Sequence, residues 1–294
     1  MSAAVMIVLI MPGQSRSNIK KILERFYAEY DFRERLMHDP IEFPHRYSDP
    51  GDIEAAGFIA ASLAYGKVGL FKPVIEKILE NLGKHPAEFL QNFSLKRDAG
   101  YLKGISYRFN RERDIICLVY MLSCVLKKWG TLRKLFTHFY KDEDRDIRNG
   151  LTGFLEYIYK IDTSPVYGTD IKPNGLKQLL PSPRNGSACK RMNLFLRWMV
   201  RTRDIDLGIW DNVPPNKLLI PLDTHIARIS KCLGLTRRAS ADWKMAEEIT
   251  AALMEFDPVD PLKYDFALCH HGISGLCKGE KETDICRECV FNTM

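Results

Sequence analysis

Apolar residues recur at helical spacing along almost the whole chain, and this periodicity limits the possible folds more than any other feature. In the first such segment Ile19, Ile22, Leu23, Phe26 and Tyr30 fall on one face of a helix. No stretch alternates β-branched and polar residues for long enough to predict a sheet. The sequence therefore predicts an all-α protein. The predicted helices span residues 18–35, 52–64, 72–83, 86–93, 112–129, 131–140, 147–159, 176–180, 187–201, 224–233, 241–256 and 261–271.

A chain of 294 residues is long enough for one large domain or two small ones with a buried core. We predict a single helical unit over residues 18–294, with one lobe at about 52–175 and a second made of 18–51 plus 176–276. Residues 1–17 are predicted to be a poorly ordered segment or the product of a mis-set start codon. Residues 277–294 are predicted to form a Cys-rich C-terminal loop.

The charge balance and the cysteine count narrow the class of protein further. The net charge of +6 is compatible with nucleic-acid binding but does not by itself indicate it. The apolar stretch 3–11 is too short to span a bilayer and follows no positive charge, so we expect a cytoplasmic protein without a membrane partner. Eight cysteines in a chain of this length do not indicate a disulfide scaffold. We expect a monomer.

Asp223 follows a Pro-Leu dipeptide and stands where the helix 224–233 should begin. An aspartate in that place commonly caps the helix, which stabilises it by about 1 kcal/mol. It can also be a catalytic carboxylate held rigidly at the start of a helix. The residues that face Asp223 decide between these two roles.

A helical hairpin precedes this segment, with a turn at 181–186 and a new helix from residue 187. Gly186 and Ser187 offer backbone N–H groups at the predicted helix start, which is an arrangement suited to a DNA phosphate. Arg184, Lys190 and Arg191 surround that point with positive charge. The alternative is an ordinary connector with solvated basic residues.

The hairpin with its early-helix lysine, followed by the segment 221–235, resembles the helix-hairpin-helix DNA glycosylase superfamily. Endonuclease III and the 8-oxoguanine glycosylases belong to that superfamily. The resemblance spans roughly residues 52–289, and the chain as a whole is most similar to a branch known only as a domain of unknown function. It implies a two-lobed helical fold with a helix-hairpin-helix motif.

By that resemblance Lys190 matches the catalytic lysine and Asp223 the catalytic aspartate. The implied activity is that of a DNA glycosylase and AP lyase, with double-stranded DNA as the partner and a damaged base, first of all an oxidised purine, as the target. A fixed carboxylate stabilises the oxocarbenium-like sugar, and a deprotonated lysine attacks C1′ and allows β-elimination. The alternatives are a non-catalytic nucleic-acid-binding protein of the same fold and a plain helical interaction protein.

Four further residues are candidates for the DNA-contacting surface, and three of them also have a structural interpretation. His225 is a candidate phosphate contact or a structural histidine. Phe195 and Trp198 are candidates to stack on an extruded base, but their helical spacing is also typical of core residues. Tyr65 ends the apolar helix roughly where relatives insert a wedge residue into DNA.

The C-terminal cysteines resemble the iron–sulfur loop of many endonuclease III relatives. Cys277, Cys286 and Cys289 match the first three ligands of a [4Fe-4S] cluster in that loop, and the chain stops before a fourth. Cys269 is the candidate fourth ligand. The alternatives are a zinc site completed by a neighbouring histidine, and a loop without a metal.

Overall fold

The computed structural model describes residues 15–275, 277 and 289–293, and the regular structure in these ranges is helical. Among the described residues the extended pairings are two isolated bridges, so the predicted all-α class is confirmed. The α-helices are α1 Arg16–Ala28, α2 Phe32–Leu36, α3 Pro50–Leu63, α4 Val68–Leu82, α5 Pro86–Asn92, α6 Leu95–Asp98, α7 Glu112–Trp129, α8 Leu132–Phe139, α9 Arg148–Tyr159, α10 Ser164–Tyr167, α11 Asn174–Leu179, α12 Lys190–Val200, α13 Thr224–Cys232, α14 Trp243–Met254 and α15 Asp265–Ile273, with a short helix Val290–Thr293 after them. Short 3₁₀ helices lie at Pro40–Glu42, Pro44–Arg46, Ala99–Leu102, Pro183–Asn185, Pro215–Lys217 and Pro261–Tyr264.

The single helix expected over 18–35 is wrong, because the chain breaks there into α1 and α2. The side chain of Asp31 accepts hydrogen bonds from the backbone N–H groups of Arg33 and Glu34, which caps a new helix. Apolar periodicity continues across the break, so a reading of the pattern alone misses it.

Helix α3 is the centre of the molecule, and every residue from Asp52 to Leu63 is buried. Helix α12 packs directly across it. A Cβ added at Gly57 of α3 would lie 3.1 Å from the methyl carbon of Met199, so the glycine permits this close contact. The contact fixes the last turn of α12 against the middle of α3.

The buried apolar side chains form two clusters. The larger cluster contains residues of α3, α4, α7, α8, α9 and α12. The smaller cluster contains residues of α1, α13 and α14, together with Leu268 of α15 and Phe291. Helices α12 and α13 therefore begin next to each other but bury their apolar faces in different clusters.

A buried network of ion pairs holds the far half of α12. Arg197 contacts Asp206 at 3.2 Å and Asp265 at 2.5 Å, and the arginine side chain is 2% exposed. Arg201 pairs with Asp206 and, at 2.8 Å, with Asp260. Burial raises the pKa of Asp265 to about 6, against the lowering effect of Arg197. Because unpaired buried charges are costly, the network ties α12 to the start of α15.

Within the described residues no single helix is both long and apolar enough to cross a membrane. Helices α7 and α8 meet that criterion only together, and they are bent by 75° relative to each other.

Candidate active site

Lys190 and Asp223 form an ion pair, although 33 positions separate them in the sequence. The Lys190 Nζ atom lies 2.8 Å from Asp223 Oδ2. Lys190 is the first residue of α12, and Asp223 directly precedes α13. One third of the lysine side chain is exposed and 13% of the aspartate side chain, so the pair is accessible from solvent.

Asp223 both caps α13 and binds the lysine. Its Oδ1 atom accepts hydrogen bonds from the N–H groups of His225 at 2.9 Å and Ile226 at 2.8 Å, while Oδ2 faces Lys190. Burial on its own would raise the pKa of this carboxyl. The charge and hydrogen bond of Lys190 and the Ile226 amide outweigh that effect, and the pKa of Asp223 is lowered. The carboxylate is therefore ionised and fixed in one orientation.

The pKa of Lys190 responds to the same contacts in the opposite sense. Burial would lower it, but the negative charge of Asp223, with contributions from Cys269 and Asp39, raises the pKa of the lysine above its ordinary value. In this state of the site the amine is an ammonium at neutral pH. A nucleophilic role requires that the proton leave first.

The start of α12 differs from the prediction, because the helix begins at Lys190 and not at residue 187. Cys189 has a φ of +48°, in the left-handed region, which prevents the helix from extending backwards. Its N–H donates to Ser187 Oγ at 3.2 Å, and its thiol donates to the carbonyl of Pro181 at 3.3 Å. These contacts fix the turn in front of the lysine.

The predicted phosphate site at Gly186 and Ser187 is therefore not at a helix start. Gly186 adopts a φ of +72°, donates its N–H to the carbonyl of Pro183 and accepts the N–H of Trp243. Ser187 pairs with Asp242 in an isolated bridge. The Gly186 amide is occupied within the hairpin, and the expected helix start at Ser187 is wrong, while the DNA-contact role of the two residues stays a prediction.

The thiol of Cys269 on α15 is the next group at the ion pair, with Sγ at 3.7 Å from Asp223 Oδ2. Gly272, one turn further along α15, allows this approach, since a Cβ there would lie 2.6 Å from the Cβ of His225. Burial, reinforced by the charge of Asp223, raises the pKa of Cys269 well above its ordinary value. The thiol is protonated and donates to the carboxylate.

The two predicted DNA-binding arginines have different surroundings. The Arg184 side chain is 73% exposed and pairs with Glu156 at 2.8 Å, so it lies on the surface as expected. Arg191 is buried, and its guanidinium donates to the carbonyls of Ser62 at 2.8 Å and of Gln178. Burial lowers the pKa of Arg191 to about 10. Its placement corrects the prediction: Arg191 fastens α12 to α3 and α11 and does not face solvent.

His225 lies two positions after Asp223, and both His225 and Tyr65 make contacts within the protein. His225 is half-buried, with its Nδ1 atom 3.3 Å from a guanidinium nitrogen of Arg228. The hydroxyl of Tyr65 donates to the Oδ1 atom of Asn110, and the guanidinium of Arg191 lies 5.1 Å from its ring centre. The wedge role of Tyr65 and the phosphate role of His225 stay predictions.

Phe195 and Trp198 are 2% and 0% exposed and belong to the larger hydrophobic cluster. Phe195 packs edge-to-face against Phe58 of α3 at 5.2 Å between ring centres. Their burial argues against a stacking surface for an extruded base, and packing accounts for both. This is the core interpretation that their helical spacing also allowed.

The described cysteines do not form a metal-binding set. No group of three or more His, Cys, Asp or Glu side chains suited to a metal lies within residues 15–275, 277 and 289–293. Cys269 contacts Asp223, Cys277 is buried in the smaller cluster, and Cys289 packs partly against that cluster. Cys286 lies outside the described residues. The predicted [4Fe-4S] or zinc site, which includes Cys286, therefore stays a prediction.

Two residues that interact electrostatically with this site, Asp39 and Tyr30, could not be identified from the sequence. Asp39 precedes the first 3₁₀ helix, and its Oδ2 atom lies 3.2 Å from Nε2 of His270 on α15. Tyr30 lies between α1 and α2, and the charges of Cys269 and Asp39 act on its hydroxyl. These residues come from distant parts of the sequence. The only signal that the sequence offered for them was the position of Asp39 directly before a proline at a helix start.

An ionised carboxylate, an ammonium and a thiol thus meet at the starts of two helices in an all-α protein. That arrangement can stabilise a developing positive charge and, once the lysine loses its proton, can supply a nucleophile. The family model described as "Protein of unknown function (DUF2400)" matches residues 39–274, and the chain belongs to that family. No curated protein and no solved structure matches the chain.

Proposed function

We propose that the protein is a DNA glycosylase with AP lyase activity that removes a damaged base, with an oxidised purine as the first candidate. The observation that carries the proposal is the accessible ion pair between Lys190 and Asp223. Two residues with complementary catalytic roles, far apart in the sequence, are fixed within hydrogen-bonding distance. The helix-hairpin-helix resemblance supplies the reaction type, and the cytoplasmic location and DNA partner belong to the same proposal.

In this reaction the bond between C1′ and the base nitrogen breaks, and its electron pair leaves with the base. Asp223, held by two backbone amides, stabilises the positive charge that develops on the sugar. A proton from the Lys190 ammonium passes to the departing base. The free amine then bonds to C1′. The bond between C1′ and the ring oxygen O4′ breaks as a proton passes from the nitrogen to O4′, and the resulting Schiff base permits β-elimination of the 3′ phosphate.

The protonation state of Lys190 is the observation that favours the second candidate function. A lysine whose pKa is raised by a carboxylate at 2.8 Å is a poor nucleophile until that contact loosens. A non-catalytic DNA-binding protein would keep such a pair as a permanent structural link. The two candidates therefore differ in whether the amine ever becomes free.

Borohydride reduction in the presence of lesion-containing duplex DNA distinguishes them. A Schiff base to Lys190 would be reduced to a stable protein–DNA adduct, visible as a band of increased mass. We expect the adduct with wild-type protein, its loss in Lys190→Gln, and greatly reduced base release in Asp223→Asn. Asparagine still caps α13, so Asp223→Asn tests the charge and not the fold.

Arg184→Gln is the control for DNA binding, since Arg184 is exposed and does not touch the pair. It should weaken binding at elevated salt but leave trapping intact at low salt. If the wild-type protein forms no adduct and releases no base from any lesion, yet binds DNA with the usual salt dependence, the non-catalytic function stands. Absence of DNA binding would remove both.

A further inference from the structure

We propose that the turn formed by Arg108 and Phe109 is a nucleic-acid-binding surface on which Phe109 stacks against an unpaired base. The inference deepens the proposed function, because it names what this part of the protein binds in its partner. It rests on the nucleic-acid partner of that function and not on the chemistry at Lys190. Two observations carry it: a series of cation–ring contacts that ends on an exposed phenylalanine, and exposed cations that have no carboxylate partner among the described residues.

The chain makes a two-residue turn at Arg108 and Phe109, shortly before α7. Tyr107 and Asn110 flank the turn and exchange two backbone hydrogen bonds, of 2.9 and 2.8 Å. Both flanking side chains are buried. The hydroxyl of Tyr107 donates to the carbonyl of Tyr65, and the hydroxyl of Tyr65 donates to Asn110 Oδ1 at 2.5 Å. The turn is therefore fixed against the end of α3, and its two tip residues are held rigidly.

Arg108 has a backbone conformation that favours glycine. Its φ is +50°, in the left-handed region. Two-residue turns with a positive φ at the first central position are usually built with glycine there. An arginine in that position is disfavoured by its Cβ atom. The turn would be more stable with glycine, so a role for the arginine has to come from its side chain.

The Arg108 side chain belongs to a series of contacts between cations and aromatic rings. The guanidinium of Arg191, which is buried, lies 5.1 Å from the ring centre of Tyr65. The guanidinium of Arg108 lies 5.7 Å from the same ring centre and 5.4 Å from that of Phe109. Gly66 makes room for it, since a Cβ there would lie 2.5 Å from Arg108 Nη1. The series thus runs from the first turn of α12 to the tip of the turn.

Phe109 ends this series and is 66% exposed. Arg108 lies over its ring, and most of the remaining ring surface is open to a further planar group. An exposed aromatic ring beside a guanidinium is a platform for a nucleobase, because every base has a planar π face. In a fully paired duplex the faces of each base are already covered by its neighbours in the stack. The exposed ring therefore selects an unpaired base.

The charges around the tip favour a polyanion. Lys67 follows Gly66, which packs against Arg108, and Arg111 lies two positions after Phe109. Lys67, Arg108 and Arg111 are exposed, and none of them forms an ion pair with a described residue. Such cations are available to phosphate groups, which supply much of the affinity for a nucleic acid. An open ring among free cations thus indicates a nucleic acid and not an apolar protein surface.

This surface differs from the one that the sequence predicts at the hairpin. There Arg191 is buried, and Arg184 is paired with Glu156. The turn is nevertheless close to the candidate active site, because Tyr65 contacts both Arg108 and Arg191 of α12. Binding at the turn would therefore hold a strand near the start of α12.

Fluorescence anisotropy with two labelled single strands measures the stacking contact. One strand is oligothymidine, and the other consists of tetrahydrofuran spacers, which have the same phosphates but neither bases nor an aldehyde that could react with Lys190. We expect the wild-type protein to bind oligothymidine about tenfold more tightly than the spacer strand, which is the usual effect of one stacked base. A duplex with one bulged nucleotide should exceed the fully paired duplex by a similar factor.

Phe109→Ala removes the ring without opening the core, because the side chain is exposed. It should reduce both preferences to less than about twofold and leave binding of the spacer strand unchanged. Val259→Ala is the matched control, because Val259 is 67% exposed and lies between α14 and α15. That control should alter none of the affinities.

Arg108→Gly separates binding from structure. Glycine suits a φ of +50°, so the variant should unfold at the same temperature as the wild type or a higher one. The substitution removes a cation and the support of the Phe109 ring. We therefore expect the affinity for oligothymidine to fall about tenfold, and the slope of log affinity against log salt to decrease by about one. A purely structural role would give lower stability and unchanged binding.

The inference is overturned if the wild-type protein binds both strands alike, or if Phe109→Ala keeps the preference for bases. The second result is expected if the exposed ring serves a protein partner. Its failure is separable from that of the proposed function, because neither strand contains a lesion. Borohydride adducts with an unchanged preference in Phe109→Ala would remove only this surface. A preference that is lost in Phe109→Ala and kept in Lys190→Gln, without adducts from the wild type, would support the surface in a protein that does not cleave.

Discussion

The 2.8 Å contact between Lys190 and Asp223 joins the two hydrophobic clusters of the protein at the starts of α12 and α13. The contribution of this contact to folding can be isolated by a double-mutant cycle. With Lys190→Met and Asp223→Asn we expect a coupling of about 1 to 2 kcal/mol in urea unfolding, because the Asp223 side chain is only 13% exposed and solvent screens the pair only in part.

The exposed pair of Arg184 and Glu156, also at 2.8 Å, is the matched control for that cycle. Its coupling should stay below about 0.5 kcal/mol, since solvent screens it. Equal couplings for the two pairs would show that burial does not strengthen the ion pair at the candidate active site.

Glu54 should make the free energy of unfolding depend on pH. It is buried in α3, accepts the N–H of Leu132 at 2.7 Å and the indole N–H of Trp210 at 2.8 Å, and burial raises its pKa to about 7. Because the folded pKa exceeds the unfolded value of about 4.3, its contribution is fully present below pH 4.3. That contribution is lost as the pH rises to 7.

The loss amounts to about 4 kcal/mol, from 1.36 kcal/mol for each pH unit between the two pKa values. Glu54→Gln cannot ionise and should lack this part of the slope. Urea unfolding at pH 5, 6, 7 and 8 measures it in both proteins. Parallel pH profiles would mean that the buried carboxyl titrates normally.

Cys269 should react slowly with alkylating reagents in the folded protein. Its thiol is protonated because burial and the charge of Asp223 raise its pKa, and the thiolate is the reactive form. Iodoacetamide labelling followed by peptide mass spectrometry should modify Cys269 only after denaturation. Asp223→Asn removes one raising charge and should speed the reaction. Rapid native labelling at pH 7 would contradict the described burial.

Gly272→Ala should move α15 away from α13. The new Cβ would lie 2.6 Å from the Cβ of His225, which cannot rotate aside, so the helices must separate. We expect destabilisation by about 1 to 3 kcal/mol, measured by thermal unfolding, and faster alkylation of Cys269.

Gly69→Ala is the control for that substitution, because a Cβ at Gly69 in the first turn of α4 meets nothing within 4 Å. It should stabilise the protein by up to about 1 kcal/mol through helix propensity. A Gly272→Ala variant as stable as the wild type would show that α13 and α15 are less closely packed than described.

The helical class and the position of Asp223 at the start of α13 were accessible from the sequence, because periodicity and capping act over a few residues. Its partner Lys190 was suggested by resemblance and not by local chemistry. The start of α12 was mispredicted, since nothing in the composition around Cys189 indicates a left-handed residue. A φ value imposed by tertiary contacts leaves no periodic signal.

The other errors concern long-range packing. Arg191 lies beside Lys190 in the sequence, but its guanidinium binds the carbonyl of Ser62, 129 positions away. Asp39, Tyr30 and His270 converge on the same site from both ends of the described chain. Contacts of this kind depend on how the helices pack against one another. The pattern of residues in a single sequence does not specify that packing.

The buried arginines of α12 also limit the movements by which the Lys190–Asp223 contact can open. A movement of α12 along α15 would separate Arg197 from Asp265. Because both side chains are buried, neither charge could be compensated by solvent. Helix α12, which carries Lys190, is therefore held in place. We expect the amine to leave the carboxylate by rotation of the lysine side chain. If the proposed function holds, we expect access of a substrate to the Lys190 amine to depend on the rotamer of that side chain and not on a movement of α12.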